Sequence, residues 1–223
     1  GKTLYFTSNR PGGIGKKDIW ISHQQANGQW STPENLGEII NTKYDDESPY
    51  IHPDGITLYY ATDGIPGMGK EDIVASQQIG NSIWTKPQNL GYPINTNDDE
   101  SHLIINAEGT KGYFASNRYG GFGGFDLYEF SIDETFKVKP NSVTYVMCRV
   151  FDFDSNAKLV ADITLSDLET GKVVYQNSSD VIKGECVVPF IENRDYALSV
   201  EKQDYLFYSE NVSLNTIKDA NNL

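Results

Sequence analysis

Three stretches of this chain repeat one another at a fixed interval, and nothing else in the sequence restricts the fold as much. Gly1-Lys2-Thr3-Leu4-Tyr5-Phe6-Thr7-Ser8-Asn9-Arg10 returns as Gly55-Ile56-Thr57-Leu58-Tyr59-Tyr60-Ala61-Thr62-Asp63-Gly64. It returns again as Gly109-Thr110-Lys111-Gly112-Tyr113-Phe114-Ala115-Ser116-Asn117-Arg118, a step of 54 residues each time. Asp18-Ile19, Asp72-Ile73 and Asp126-Leu127 keep that step. So do Trp30-Ser31-Thr32-Pro33-Glu34-Asn35-Leu36-Gly37 and Trp84-Thr85-Lys86-Pro87-Gln88-Asn89-Leu90-Gly91. Ile40-Asn41-Thr42 pairs with Ile94-Asn95-Thr96, and an Asp-Asp-Glu-Ser run follows at Asp45-Asp46-Glu47-Ser48 and at Asp98-Asp99-Glu100-Ser101. A period of this length marks an array of units that bury their apolar faces against one another.

One period holds four strand-like runs, at 48–51, 57–62, 72–77 and 82–89, separated by turn residues. No stretch carries the i, i+3, i+4, i+7 stripe of an amphipathic helix, so helical solenoids are excluded. The expected fold is all-β. Residues 1–134 read as a partial β-propeller of four-stranded blades on the 54-residue repeat. The chain opens on the second strand of a blade, and the third repeat stops after its third strand at 125–131. About two and a half blades cannot close a ring of roughly four to eight. The missing fourth strand is expected from residues upstream of Gly1.

The loops bear a resemblance. Asn9-Arg10-Pro11-Gly12-Gly13-Ile14-Gly15-Lys16-Lys17-Asp18-Ile19-Trp20, with His52-Pro53-Asp54-Gly55, resembles the PD40 (WD40-like) propeller repeat of periplasmic proteins of Bacteroidota. Ser116-Asn117-Arg118-Tyr119-Gly120-Gly121-Phe122-Gly123-Gly124-Phe125-Asp126 matches equally well. The middle copy departs, with Asp63-Gly64 in place of Asn-Arg.

From Val143 the texture changes. Thr144–Asp152 alternates, with Val146, Cys148 and Val150 on one face. Further strands are expected at 158–167, 172–176, 186–190, 196–201 and 205–208. These suggest a small β-sandwich. Arg149-Val150-Phe151-Asp152, Ala161-Asp162-Ile163, Asp167-Leu168-Glu169-Thr170-Gly171, Tyr196-Ala197-Leu198-Ser199-Val200 and Asp204-Tyr205-Leu206-Phe207-Tyr208-Ser209 resemble the carboxypeptidase-regulatory-like domain, which implies a transthyretin-like sandwich. The domain order resembles that of PorE-like members of the OmpA family, which serve as cell-envelope anchors, including in type IX secretion and gliding. That resemblance implies a periplasmic, outer-membrane-associated scaffold. It would meet envelope proteins through the propeller, and peptidoglycan only through a C-terminal domain that is absent here. The expected division is a propeller segment over 1–134, a linker over 135–142, the sandwich over 143–215 and a second linker over 216–223.

Composition removes other classes. The net charge is −13, which repels nucleic acid and anionic lipid, and no run of about 18 apolar residues spans a bilayer. Through Glu134 there are 9 basic and 18 acidic residues, and after it 9 and 13, so the acidity is partly a property of the repeat. Cys148 and Cys186 make no disulfide framework. A single bridge would need an oxidising compartment, and two buried small side chains are the plainer reading.

Catalytic and cofactor signals are weak. Gly12–Gly15 and Gly120–Gly124 run into strands, whereas a phosphate cradle opens a helix. The structural expectation is that Asp18, Asp72 and Asp126 pin these loops by accepting their N–H groups, with Arg10 and Arg118 pairing neighbouring acids. The Asp-Asp-Glu runs could hold a hard cation, but their recurrence favours a role at the start of each blade. Asp152-Phe153-Asp154-Ser155-Asn156 opens like a calcium loop, then lacks the Gly and Glu at Ala157 and Ile163, and reads as a turn. His23, His52 and His102 fall in no zinc pattern, and no nucleophile elbow occurs. No enzyme, cofactor or metal is expected. The alternative is a glycan- or peptide-binding propeller using exposed Tyr119 and Phe122.

Overall fold

A computed structural model describes residues 2–25 and 27–214. Every regular element between Thr3 and Ser213 is a strand, and every strand pairing is antiparallel. The chain forms two compact units, Gly1–Pro140 and Asn141–Leu223.

The first unit contains three small sheets, one for each copy of the repeat. Strands β1 (Thr3–Ser8) and β2 (Asp18–His23) form a hairpin, and β3 (Glu34–Asn35) joins the outer edge of β2. The second sheet runs from β4 (Asp46–Ile51) through β5 (Thr57–Thr62) to β6 (Asp72–Gly80). Beyond β6 lie β7 (Ile83–Trp84) and β8 (Gln88–Asn89). The third holds β9 (Glu100–Ile105), β10 (Lys111–Ser116) and β11 (Asp126–Ser131), and ends at β11. No ring of sheets closes among the described residues.

The sheets stack face to face. β4 lies beside β1 and β2, and β9 lies beside β4, β5 and β6. One core forms around Ile19, Ile40, Leu58, Tyr60, Val74 and Trp84. A second forms around Tyr59, Ile73, Leu90, Leu103 and Phe114. β5 feeds both, since Leu58 and Tyr60 point one way and Tyr59 the other, and all six of its residues are buried.

The expected strand at 82–89 is two short pieces instead. Pro87 has no N–H to give a ladder, and pairing lapses between Trp84 and Gln88. The Asp-Asp-Glu-Ser runs are also aligned differently from their letters. The identical residues stand 53 apart, yet the structure keeps 54: Asp46 matches Glu100, and Ser48 matches His102. Ser48 (φ 52°) and His102 (φ 54°) both take the left-handed conformation beside a register shift. Residues 135–140, read as linker, belong to the first unit, because Val138 is buried in its core with Phe136 packed beside it.

The second unit has a two-stranded sheet, β12 (Val143–Arg149) with β15 (Glu185–Ile191). It also has a four-stranded sheet in the order β14 (Val173–Ser178), β13 (Asp162–Asp167), β16 (Asp195–Glu201), β17 (Tyr208–Ser213). Ile163, Leu165 and Tyr196 of the larger sheet share a core with Cys186, Val188 and Phe190 of the smaller. The strand expected at 205–208 lies later, at Tyr208–Ser213, and 204–206 form part of a turn and its exit. Residues 215–223, and so the expected linker at 216–223, lie outside the described residues.

Candidate functional site

The residues singled out by the repeat fall into one recurring construction. Asp18 accepts hydrogen bonds from Ile14 N (2.6 Å) and Gly15 N (3.1 Å). Asp72 accepts from Met68 N (2.8 Å), and Asp126 from Phe122 N (2.8 Å). Ile14, Met68 and Phe122 occupy one repeat position. The preceding glycine matters for space: a Cβ at Gly13, Gly67 or Gly121 would run into the carboxylate of its own loop. Burial raises the Asp72 pKa against the hydrogen bonds it accepts.

The first two loops also clasp the next sheet. Lys16 N donates to Tyr44 O (3.0 Å) and Asp46 N to Lys17 O (2.8 Å). Lys70 N donates to Asp98 O (3.4 Å) and Glu100 N to Glu71 O (2.9 Å). Lys16 Nζ lies 3.6 Å from Asp45, and Lys70 Nζ 3.6 Å from Asp99. Gly15 and Gly69 permit this approach, since a Cβ would overlap carbonyl oxygens of the facing loop. In the third loop Gly124 stands where Lys16 and Lys70 do and Phe125 where Lys17 and Glu71 do, and Gly123 meets nothing within 4 Å. Tyr119 and Phe122 are fully exposed there, with Phe125 exposed beside them.

The acidic runs are structural at their buried member. Asp46 accepts from Thr42 N (2.6 Å) and Thr62 Oγ1 (2.6 Å). Glu100 accepts from Thr96 N (2.7 Å) and Ser116 Oγ (2.8 Å). Burial pushes the Asp46 carboxyl up to about 6, against the hydrogen bonds from Thr42 and Thr62.

The two arginines differ. Arg118 reaches Glu100 (3.3 Å), Pro93 O (2.9 Å) and Ile94 O, and lies over the rings of Phe114 and Tyr128. Arg10 lies over Phe6 and Trp20 and donates to Ser8 Oγ (3.0 Å), and no acid pairs with it among the described residues. In the middle repeat Gly64 replaces the arginine because Thr42 fills the space. There Tyr60 Oη donates to Ile40 O (2.9 Å), the carbonyl that corresponds to Ile94 O. One repeat satisfies that buried carbonyl with a tyrosine, the other with an arginine.

Sequence reasoning missed the asparagines. Asn41 Oδ1 accepts from Ile19 N (2.7 Å) while its Nδ2 donates to Ile19 O (3.0 Å). Asn95 does the same for Ile73 (2.9 and 2.8 Å). Their 54-residue spacing was a visible signal, but nothing in the letters says that a side chain stands in for a strand.

Polar groups elsewhere are likewise engaged in structure. His52 is buried, with Nε2 3.0 Å from Asn106 O and Nδ1 3.1 Å from Asp54 N. A carbonyl only accepts, so Nε2 carries the proton and Nδ1 accepts. A shallow polar pocket collects Lys17, Glu47, Glu71, Asp99, Ser101 and His102. Lys17 Nζ is 2.6 Å from Glu47, and burial with neighbouring acids raises the Glu71 pKa. No group of three or more metal-ligating side chains occurs among the described residues. Asp152 accepts from Ser155 N (2.7 Å) and Oγ (2.5 Å), closing a turn.

In the second unit a cleft of about 950 Å3 is lined by Met147, Val150, Phe151, Leu198, Val200 and Leu206. Cys148 and Cys186 face each other across β12 and β15 as free thiols. Cys186 Sγ lies 3.1 Å from Tyr175 Oη, and burial raises the Cys148 pKa and pushes Tyr175 up to about 12. A thiol held protonated is a weak nucleophile.

In comparisons with known proteins, no family model and no curated relative matches the chain.

Proposed function

We propose that this chain is a non-catalytic scaffold that binds other proteins. In this reading it is a segment of a periplasmic, outer-membrane-associated OmpA-family protein of the PorE-like type. The three repeats are blades of an incomplete β-propeller, and the second unit is a transthyretin-like sandwich. Peptidoglycan contact belongs to a domain outside the chain, and the machine served is one of the envelope, such as type IX secretion or gliding.

One observation carries the interaction role. The third loop keeps the Asp126 pin and the glycine spacing but has Gly124 in place of the clasping Lys16 and Lys70, and Phe125 in place of Lys17 and Glu71. It leaves Tyr119 and Phe122 fully in solvent. Aromatic side chains on a pinned loop suit docking, since they bury large area with little loss of freedom. The absence of an enzymatic role is supported by how the polar residues are used. The buried carboxylates, asparagines and His52 hold backbone groups rather than facing a common cavity.

Affinity capture from native envelope at near-physiological salt should recover a protein partner with the wild-type chain. The Tyr119→Asp/Phe122→Asp variant should lose it. Recovery of no partner, or of the same proteins with both forms, would overturn the reading. The same exposed rings favour a second reading, a glycan- or peptide-binding propeller. Saturable calorimetric binding of an oligosaccharide, abolished in Tyr119→Ala, would favour it.

A further inference from the structure

Two thiols stand opposite each other in the smaller sheet of the second unit. Among the described residues β12 and β15 pair only with each other, and Cys148 is the register partner of Cys186. Bonds at the two ends of this ladder fix the type of pair. Val150 N donates to Gly184 O (2.9 Å), and Glu192 N donates to Ser142 O (3.0 Å). Counting inward by twos from either bond reaches Cys148 and Cys186, so they form a hydrogen-bonded pair. Such a pair holds its Cα atoms about 5.5 Å apart, within the roughly 4.4–6.8 Å that a disulfide spans. Directly opposed residues share a face, and here it is the inner one: Cys186 belongs to the core and Cys148 packs against it. The two differ in access. Cys148 is half-buried and lines the cleft beside Met147 and Arg149, whereas Cys186 is buried against Tyr175 Oη (3.1 Å).

We propose that Cys148 and Cys186 are a redox site that closes into a cross-strand disulfide by exchange with a disulfide-bearing oxidant, Cys148 reacting first. The Cys148 thiol gives its proton to water, and its sulfur attacks one sulfur of the oxidant through the cleft. The oxidant's other sulfur leaves as a thiolate. Cys186 then gives its proton to water, and its sulfur attacks Cys148 Sγ and expels the sulfur that the oxidant had left there. The protein loses two protons and two electrons, and the oxidant's disulfide becomes two thiols. Burial, which raises the Cys148 pKa, slows the first step without changing its product. A two-stranded sheet is marginal by itself. The bridge joins its strands and closes a loop, from Cys148 to Cys186, that contains β13 and β14 of the larger sheet. Oxidation therefore stabilises the unit by restricting its unfolded chain. The inference is independent of the scaffold reading, since it rests on this ladder alone.

The test incubates the whole reduced protein with oxidised glutathione overnight, then denatures it and titrates its thiols. Free thiols should fall from two per chain to none, and non-reducing peptide mapping should join residues 148 and 186 of the same chain. The melting temperature of the second unit should rise by about 5 °C or more and return with dithiothreitol. Cys186→Ala should stop at the intermediate and keep glutathione on Cys148. Cys148→Ala should take up about tenfold less glutathione, because the remaining thiol is buried. Two thiols still free after oxidation, a glutathione adduct that persists on the wild-type chain, or bridges only between chains would overturn the proposal. So would equal glutathione uptake by the two variants, because Cys148 would then not react first.

Discussion

A buried carboxylate is costly to leave alone, and the two arginines test what its partner contributes. Glu100 is fully buried, and among the described residues the cation that pairs with it is Arg118, which also caps Ile94 O. Arg118→Ala leaves Ile94 O without its donor and the Glu100 charge without a cation, although Thr96 and Ser116 still donate to it, and should cost about 3 kcal/mol in urea unfolding. Arg10→Ala removes only ring contacts and one hydroxyl bond, and should cost under about 1 kcal/mol. The raised pKa of Asp46 makes a separate prediction about pH. Its carboxyl titrates near 6 when folded and near the ordinary 3.8 when unfolded. The unfolded chain therefore gives up that proton first, and stability present below pH 4 is lost as pH rises through 6. Relative to Asp46→Asn, the wild-type melting temperature should fall between pH 4 and pH 7; a parallel pair of curves would contradict this. The pins at Asp18, Asp72 and Asp126 were legible because identical letters recur at one spacing. The pairing of Asp46 with Glu100 was not, because a one-residue shift offers a better match of letters while the hydrogen bonds follow position. Nor did the letters show that Tyr60 and Arg118 serve equivalent carbonyls.

At the scale of elements, the glycine-rich loop works as a clasp between neighbouring sheets. Gly15→Ala and Gly69→Ala force a Cβ into the facing carbonyls, and each should destabilise by about 2 kcal/mol. Gly123→Ala has open space and should stay within about 0.5 kcal/mol of wild type. Chemical denaturation of the three variants compares one substitution at one repeat position in two environments. Equal losses would show that the cost is backbone conformation and not the clasp. Strand positions were largely legible from alternation and turn residues, as at Thr57–Thr62. The failures are local and have causes. Pro87 breaks the outer strand. In the second unit the aromatic run Tyr205-Leu206-Phe207-Tyr208 looks like a strand, yet Asp204 takes a left-handed φ of 69° and the ladder with β16 begins only at Tyr208. Hydrophobic letters alone do not distinguish a paired strand from an exposed apolar turn.

For the whole molecule, the repeat spacing revealed where one architecture stops, but the point of division depended on packing. Polar Asp133-Glu134 and Pro140 suggested a linker, while Ile132, Phe136 and Val138 carry the chain back onto the first unit. Tyr59 Oη donating to Val138 O (2.7 Å) ties that return to the centre of the middle sheet. The second unit draws its core wholly from its own residues, from Val146 on one sheet to Leu165 and Tyr196 on the other. A domain of this size is near the lower limit for folding alone, and six strands around one core are enough to attempt it. The fragment 141–223 should therefore melt cooperatively and give a dispersed amide spectrum by NMR. Within it, Leu165→Ala should lower stability by about 3 kcal/mol, because the truncated side chain is wholly buried between the sheets. A fragment with a collapsed spectrum, or a Leu165→Ala variant that melts as wild type does, would show that this core does not sustain the unit by itself.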